Sequence, residues 1–329
     1  MQVDTRSDTI KNISSYYGIN SQKLQRHYKQ KVSGYNEWVQ LPHAEDYLIY
    51  PDNITDRLSI DEVSLSKGEL YTFVTNKNSK SQNKKSVVAV INGTGARAIQ
   101  EVLDKIPLDK RKTVKEVTMD MARNMALAVE NSFPQSKKVI DRFHAVKLVM
   151  DAMQHLRVSF RWEAIKAENK LIKEAKAKRE KYHSEILSNG DTLKELLVRC
   201  RYLLYKYPQD WTVNQSNRAN LLFELYPSLK QAYSLTLAFR NIYKNLSKEK
   251  AISQFIKWKQ TVIESKIDEF NTAVNSIEYH FENILNYFDN RSTNANAESF
   301  NSKIKRFRAN LRGVTDVKFF LFRLEKLFA

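Results

Sequence analysis

The chain has 329 residues, 42% of them apolar, with only 7 Gly and 6 Pro, which suits packed globular units and excludes a low-complexity or linker-rich polypeptide. Lys+Arg 54 against Asp+Glu 37 leaves a net charge of +17, an attraction for polyanions among which nucleic acid comes first and an anionic membrane surface second. No apolar run reaches the roughly 18 residues of a membrane span and no charged-then-apolar leader follows Met1, so no membrane partner is expected and the location expected is cytoplasmic, with the nucleoid.

Residues 7–32 read as two short helices about a turn. Ser7 and Asp8 suit a first cap, Ile10, Ile13 and Tyr17 share a face, Gly18 breaks the helix, and Asn20 and Ser21 suit the second cap. The second helix has Leu24 and Tyr28 on its apolar side and carries Lys23, Arg26, His27, Lys29 and Lys31. In a helix-turn-helix it would enter a DNA major groove, with Lys23 and Arg26 as contacts; an ordinary helical hairpin is the alternative. Residues 1–34 are taken as this N-terminal unit, and 35–56, with Pro42 and Pro51, as a connector.

The pattern then changes. Residues 58–65, 69–75 and 86–91 are β-rich, the first two joined by a Ser66, Lys67, Gly68 turn, while 76–85 is polar, lysine-rich and loop-like. A helix over 95–106, a strand over 114–119, a helix over 121–132 and a strand over 137–140 follow. A meander followed by strand–helix–strand alternation predicts an α/β unit over 57–142, a mixed sheet with helices on its faces. From 143 to 286 strand signals stop and apolar residues recur at three and four, as in Val146, Val149, Met150 and Met153 or Phe255, Trp258 and Val262. That spacing predicts an all-helical block. Its charged stretch 165–181 reads as a solvated helix with i,i+4 pairs. The single cysteine, Cys200, permits no intrachain disulfide and no Cys-based zinc site, and reads as a small core residue. Residues 287–329 are basic, with Phe307, Phe319, Phe320 and Phe322 as apolar anchors.

Three carboxylates stand out. Asp120 directly follows a strand and precedes a helix, which places it at the carboxyl edge of the sheet, where open α/β sheets bind ligands; helix capping is its simpler role. Asp61 and Glu62 are strand neighbours on opposite faces. Asp61 is preferred for the site because Leu58 and Ile60 mark the better-buried side. Glu298 shares a helix face with Asn294, Asn301 and Lys305, and Lys303, Arg306, Arg308 and Arg312 follow. Two acids on strand ends and a third on a cationic helix suit two-metal phosphoryl transfer. The carboxylates Asp61, Asp120 and Glu298 would hold two Mg²⁺ or Mn²⁺ ions, and Asn301, Lys303, Lys305, Arg306, Arg308 and Arg312 would hold DNA.

Asp61 in Ile60-Asp61-Glu62, Asp120 in Val117-Thr118-Met119-Asp120, Asp141-Arg142-Phe143-His144, and Thr293-Asn294-Ala295-Asn296-Ala297-Glu298-Ser299-Phe300-Asn301 together form a pattern running in order from about Leu58 to the C-terminus. It resembles the catalytic region of the DDE transposases of the ISL-three insertion-sequence family. The resemblance implies a ribonuclease-H-like fold with Asp61, Asp120 and Glu298 as the catalytic triad and an all-helical insertion before the glutamate. It implies DNA cleavage at the element ends, then attack of the freed 3′-hydroxyl on target DNA. Asp141, His144 and Asn294 are then supporting residues around the site, with a buried, hydrogen-bonded histidine as the other reading of His144.

Relatives commonly begin with a cysteine-rich zinc segment that is absent here, so end recognition is expected from residues 7–32 or from a separate polypeptide. The tyrosine and arginine that some transposases place before the glutamate correspond to Arg291 and Asn294, and those roles are not carried over. Cutting two ends in concert implies a homodimer on double-stranded DNA. A structure-selective nuclease of the same fold, or a non-catalytic DNA-binding descendant of a transposase, are the alternatives.

Overall fold

The computed structural model describes residues 2–5, 8–66, 69–78, 85–311 and 314–329. The chain divides into two compact units, 1–141 with 289–329 and 142–288.

The first unit opens with α1 (Gln2–Thr5), α2 (Ile10–Tyr16) and α3 (Ser21–His27), the last continuing as a π-helical turn, Tyr28–Val32. Thr9 caps α2 by accepting from the Asn12 amide at 2.9 Å, so the cap is not Asp8, and Ser7 lies outside the described residues. Asn20 caps α3 as expected, accepting from the Lys23 amide at 3.0 Å. Gly18 sits at φ +65°, a conformation a side chain disfavours, and so turns the chain between α2 and α3.

Six described strands form one sheet in the order β1-β4-β3-β2-β5-β6. They are β1 (Tyr47–Ile49), β2 (Arg57–Ser66), β3 (Glu69–Asn76), β4 (Val87–Asn92), β5 (Glu116–Met119) and β6 (Lys137–Ile140). β2, β3 and β4 are the expected antiparallel meander, and β5 and β6 add in parallel. The crossovers carry α4 (Ala96–Leu103), α5 (Leu108–Lys112) and α6 (Arg123–Ser132). The stretch read as a connector also carries β1, which pairs antiparallel with β4. Only three residues long, it lacks the alternation that reveals longer strands.

The second unit is helical: α7 (Arg142–Ala177), α8 (Leu193–Arg199), α9 (Val213–Leu225), α10 (Pro227–Ile242), α11 (Lys248–Ser265), α12 (Asn271–Tyr279) and α13 (Phe281–Leu285). Several of its buried polar groups are satisfied locally. Arg157 donates to the Leu197 carbonyl at 2.6 Å, Trp258 to the Leu235 carbonyl at 2.9 Å, and Asp191 is ion-paired to Arg199 and Arg218. Cys200 is fully buried, and that burial pushes its thiol up to about 12, in keeping with a packing role. No helix among the described residues is long and apolar enough to cross a membrane.

The chain closes with α14 (Tyr287–Asn290), α15 (Ala295–Asn310) and α16 (Val317–Phe328). Val63, Leu65, Tyr71 and Phe73 of the sheet share a core with Phe300, Ile304 and Phe307 of α15, with Phe319 to Leu324 of α16, and with Ile10, Ile13, Tyr28, Tyr35 and Trp38. The N-terminal helices are therefore built into this core. Glu325 accepts from Trp38 Nε1 at 2.6 Å and Tyr50 Oη at 2.7 Å, and buried Arg323 donates to the Val3 and Asp8 carbonyls at 3.0 and 3.2 Å. The mixed sheet, its covering helices and the large helical insertion before the last acid constitute a ribonuclease-H-like fold.

Phe322 is 2% exposed and its ring meets Tyr35 and Trp38 at centroid distances of 5.3 and 5.4 Å. Phe322→Ala is expected to lower unfolding stability by about 3–5 kcal/mol, the usual cost of emptying an aromatic site. Urea denaturation read together with hydrogen exchange of residues 10–50 checks this; a loss well under ~1 kcal/mol would mean that the N-terminal segment does not share the core.

Candidate active site at the carboxyl edge of the sheet

The pairing of β2 with β5 decides which acids meet. They run parallel, with Arg57 opposite Glu116, Leu58 opposite Val117 and Ser59 opposite Thr118. Two residues past Ser59 and Thr118 stand Asp61 and Asp120. Side chains alternate along a strand, so both aspartates lie on the face that also holds Ser59 and Thr118. Neighbouring strands are about 5 Å apart, which brings the two carboxylates to adjacent positions at one edge. β6 extends the row. Thr118 is opposite Val139, the Asp141 amide donates to the Met119 carbonyl at 2.9 Å, and Asp141 stands at the level of Asp120. Asp61 and Asp120 are partly exposed, whereas Asp141 is buried.

α15 covers this face. Asn301 Nδ2 donates to Asp61 Oδ2 at 2.7 Å, and Arg308 Nη1 donates to the Ser64 carbonyl at 2.9 Å, so the helix runs in the same direction as β2. Asp61 Oδ1 accepts from the Glu62 amide at 2.8 Å. Glu298 is exposed and lies one turn before Asn301, about 4.5 Å back along the axis. It stands at the rim of the buried face formed by Asn294, Ala297, Phe300, Asn301 and Ile304. Among the described residues no group of three or more His, Cys, Asp or Glu side chains is arranged to hold a metal ion.

Charge is crowded at this edge. Burial first, then the charges of Asp120 and Asp61, hold the Glu62 carboxyl above its ordinary range. Asp120 Oδ1 also accepts from the Ala122 amide at 2.8 Å, an Asx turn that leads into α6; it does not cap that helix, whose N-cap is Ala122. Leu58 and Ile60 do not mark a better-buried side of β2. β2 is an inner strand with both faces covered, and Ser59, on the side of Asp61, is as fully buried as Leu58 and Ile60.

The flanking residues separate into two groups. Lys303, Lys305 and Arg306 are exposed on α15, as are Lys23 and Arg26 on α3. Arg308 is half-buried with its guanidinium on the Ser64 carbonyl, and Arg312 lies outside the described residues. Asn301, expected to touch DNA, is 6% exposed and turned inward to Asp61; its place beside Phe300 on the apolar face of α15 hides it from a duplex. Asn294 is fully buried just before α15, and neither amide atom of its side chain has a hydrogen-bond partner among the described residues. His144 is half-buried in the first turn of α7, its ring edge-on to Phe143 at 5.6 Å.

Sequence reasoning missed a buried polar cluster on the same face. Lys77 Nζ donates to Thr118 Oγ1 at 2.7 Å and to Ser292 Oγ, and approaches Glu116 Oε1 at 3.4 Å. Ser292 Oγ donates to Glu116 Oε1, and Asn290 Nδ2 to Glu116 Oε2 at 3.2 Å. Burial lowers the Lys77 pKa against the pull of Glu116. Lys77 lies in a lysine-rich stretch whose composition resembles a solvated loop, and nothing in that composition marks one lysine as buried.

No curated protein matches the chain. The family model described as a transposase, that of the DDE enzymes of the ISL-three elements, matches residues 58–324, which take in nearly all of β2, then β3 to β6, the helical insertion, α15 and most of α16. That match covers well over half of the chain, and the chain belongs to the ISL-three family of DDE transposases.

Proposed function

We propose that this transposase cleaves DNA at the ends of its element and joins the freed 3′-hydroxyl to target DNA, with Asp61, Asp120 and Glu298 as the catalytic acids. The observation that carries the reading is the shared face and level of Asp61 and Asp120, with Asp61 held by Asn301 of the helix that bears Glu298. The donor chemistry fits the ions that a DDE enzyme uses: carboxylate oxygens alone, suited to Mg²⁺ or Mn²⁺. Two such ions, when bound, supply Lewis-acid stabilisation of the attacking and leaving oxygens of an in-line displacement at phosphorus.

The chain's own residues do the rest. Asn301 fixes one oxygen of Asp61 and the Glu62 amide the other, so that carboxylate keeps one orientation. The Ala122 amide does the same for Asp120. Lys303, Lys305 and Arg306 follow Glu298 on exposed positions of α15 and bind the phosphates flanking the scissile bond. Asp141 supports the edge from β6. The exposed Lys23 and Arg26 of α3 contact duplex DNA at the element ends, alone or beside a separate recognition polypeptide, and two copies of the chain act on the paired ends.

Asp120→Ala or Glu298→Gln should lower cleavage of an end-containing duplex by more than about 1,000-fold, ~4 kcal/mol of transition-state stabilisation, with DNA affinity nearly intact. Activity surviving either change removes that residue from the site. In a strand-transfer assay with a pre-cleaved 3′-hydroxyl donor, chelation should stop joining and Mg²⁺ or Mn²⁺ should restore it; cleavage without joining would mark a nuclease instead. Replacing Lys303, Lys305 and Arg306 together by Ala should weaken DNA binding and flatten the log–log salt dependence by about 0.9 for each lost phosphate contact. An unchanged slope would place the DNA elsewhere.

A further inference from the structure

The entry to α15 is built from polar residues that are buried. Ser292 is 7% exposed, Asn294 fully buried, and the chain just before them turns through Arg291 at φ +50°. That left-handed conformation is disfavoured for an L side chain, so surrounding contacts must hold it. The contacts come mainly from β5 and from the end of β3. Glu116 takes Asn290 on one oxygen and Ser292 on the other. Lys77 takes Ser292 and Thr118 through its ammonium, while its carbonyl accepts from Asn296 Nδ2 at 3.0 Å. One lysine thus grips both sides of the helix start. The side chains of Lys77 and Glu116 are 9% and 6% exposed, an ion pair with little water to replace either partner.

This cluster lies directly behind the acids. Glu116, Thr118 and Asp120 share a face of β5, and one two-residue step along a strand is about 6.6 Å. On α15 the first intrahelical bond at this end runs from the Glu298 amide to the Asn294 carbonyl, at 2.9 Å. We propose that Lys77 is a positioning residue for the Glu298 helix: from the end of β3 it ties the 290–296 entry segment to β5 and so sets where Glu298 stands relative to Asp61 and Asp120. The anchoring itself is independent of any chemistry. Its consequence for catalysis rests on the proposed role of Glu298.

The test compares the full chain with a Lys77→Met/Glu116→Met double variant, which removes both buried charges together and leaves no unpaired ion to unfold the unit. Amide exchange of Glu298 to Asn301 should speed up by about tenfold or more, a local opening, while exchange in β5 and α16 stays as in the wild type. With DNA and Mg²⁺ or Mn²⁺, kcat for cleavage should fall about tenfold or more at unchanged KM. If the double variant does not fold, Ser292→Ala, which removes only the bridging hydroxyl, is read by the same exchange measurement. Unchanged exchange at the helix start, or an equal loss of protection across the sheet and α16, overturns the proposal. A wild-type chain that cleaves no DNA defeats the transposition reading alone, because the exchange result still decides the anchoring.

Discussion

The parallel register between β2 and β5 is the constraint on which the candidate site depends. Ser59 opposite Thr118 puts Asp61 and Asp120 at one level on one face. A slip of one residue would send one aspartate to the opposite face and separate the pair. Such a slip would also break the packing of Leu58, Ile60, Val63 and Leu65, all at 1% exposure or less, by exchanging the side chains that the two covered faces of β2 present. The hydrophobic core and the polar edge therefore specify the same register, and core packing energy protects the placement of the acids.

The helix that covers this face is held at three depths. Lys77, Glu116 and Ser292 hold its start, Asn301 meets Asp61 midway, and Arg308 reaches the Ser64 carbonyl beyond. Phe300, Ile304 and Phe307 bury the face between these points. The polar contacts supply direction and the apolar ones supply most of the energy. Acids collect at the solvent edge, where desolvation is least, and exposed cations follow them along the helix. Lys77, a buried cation on this face, is matched by Glu116.

Much of this architecture was legible in the residues. β-rich runs marked β2, β3 and β4, period-3.6 runs marked the helical unit, and a strand directly before Asp120 marked the edge. β1 was not legible, because three residues between prolines carry no periodic signal and the strand exists only through its pairing with β4. Asn301 was misjudged because a helix face with an amide, a carboxylate and a lysine resembles solvent-facing surface; only the position of β2 shows that the amide points inward. Lys77 was invisible for a similar reason, as one lysine in a lysine-rich stretch.

The amino-acid order by itself determined the α/β class, the helical insertion, the family and the acids worth considering, because each depends on local periodicity or on residues in a recognisable succession. Strand register, the inward turn of Asn301 and the burial of Lys77 with Glu116 and Ser292 were decided only in the folded chain. Each joins residues far apart in sequence, and hydrogen bonds across such separations follow from how the sheet pairs and which helix covers it.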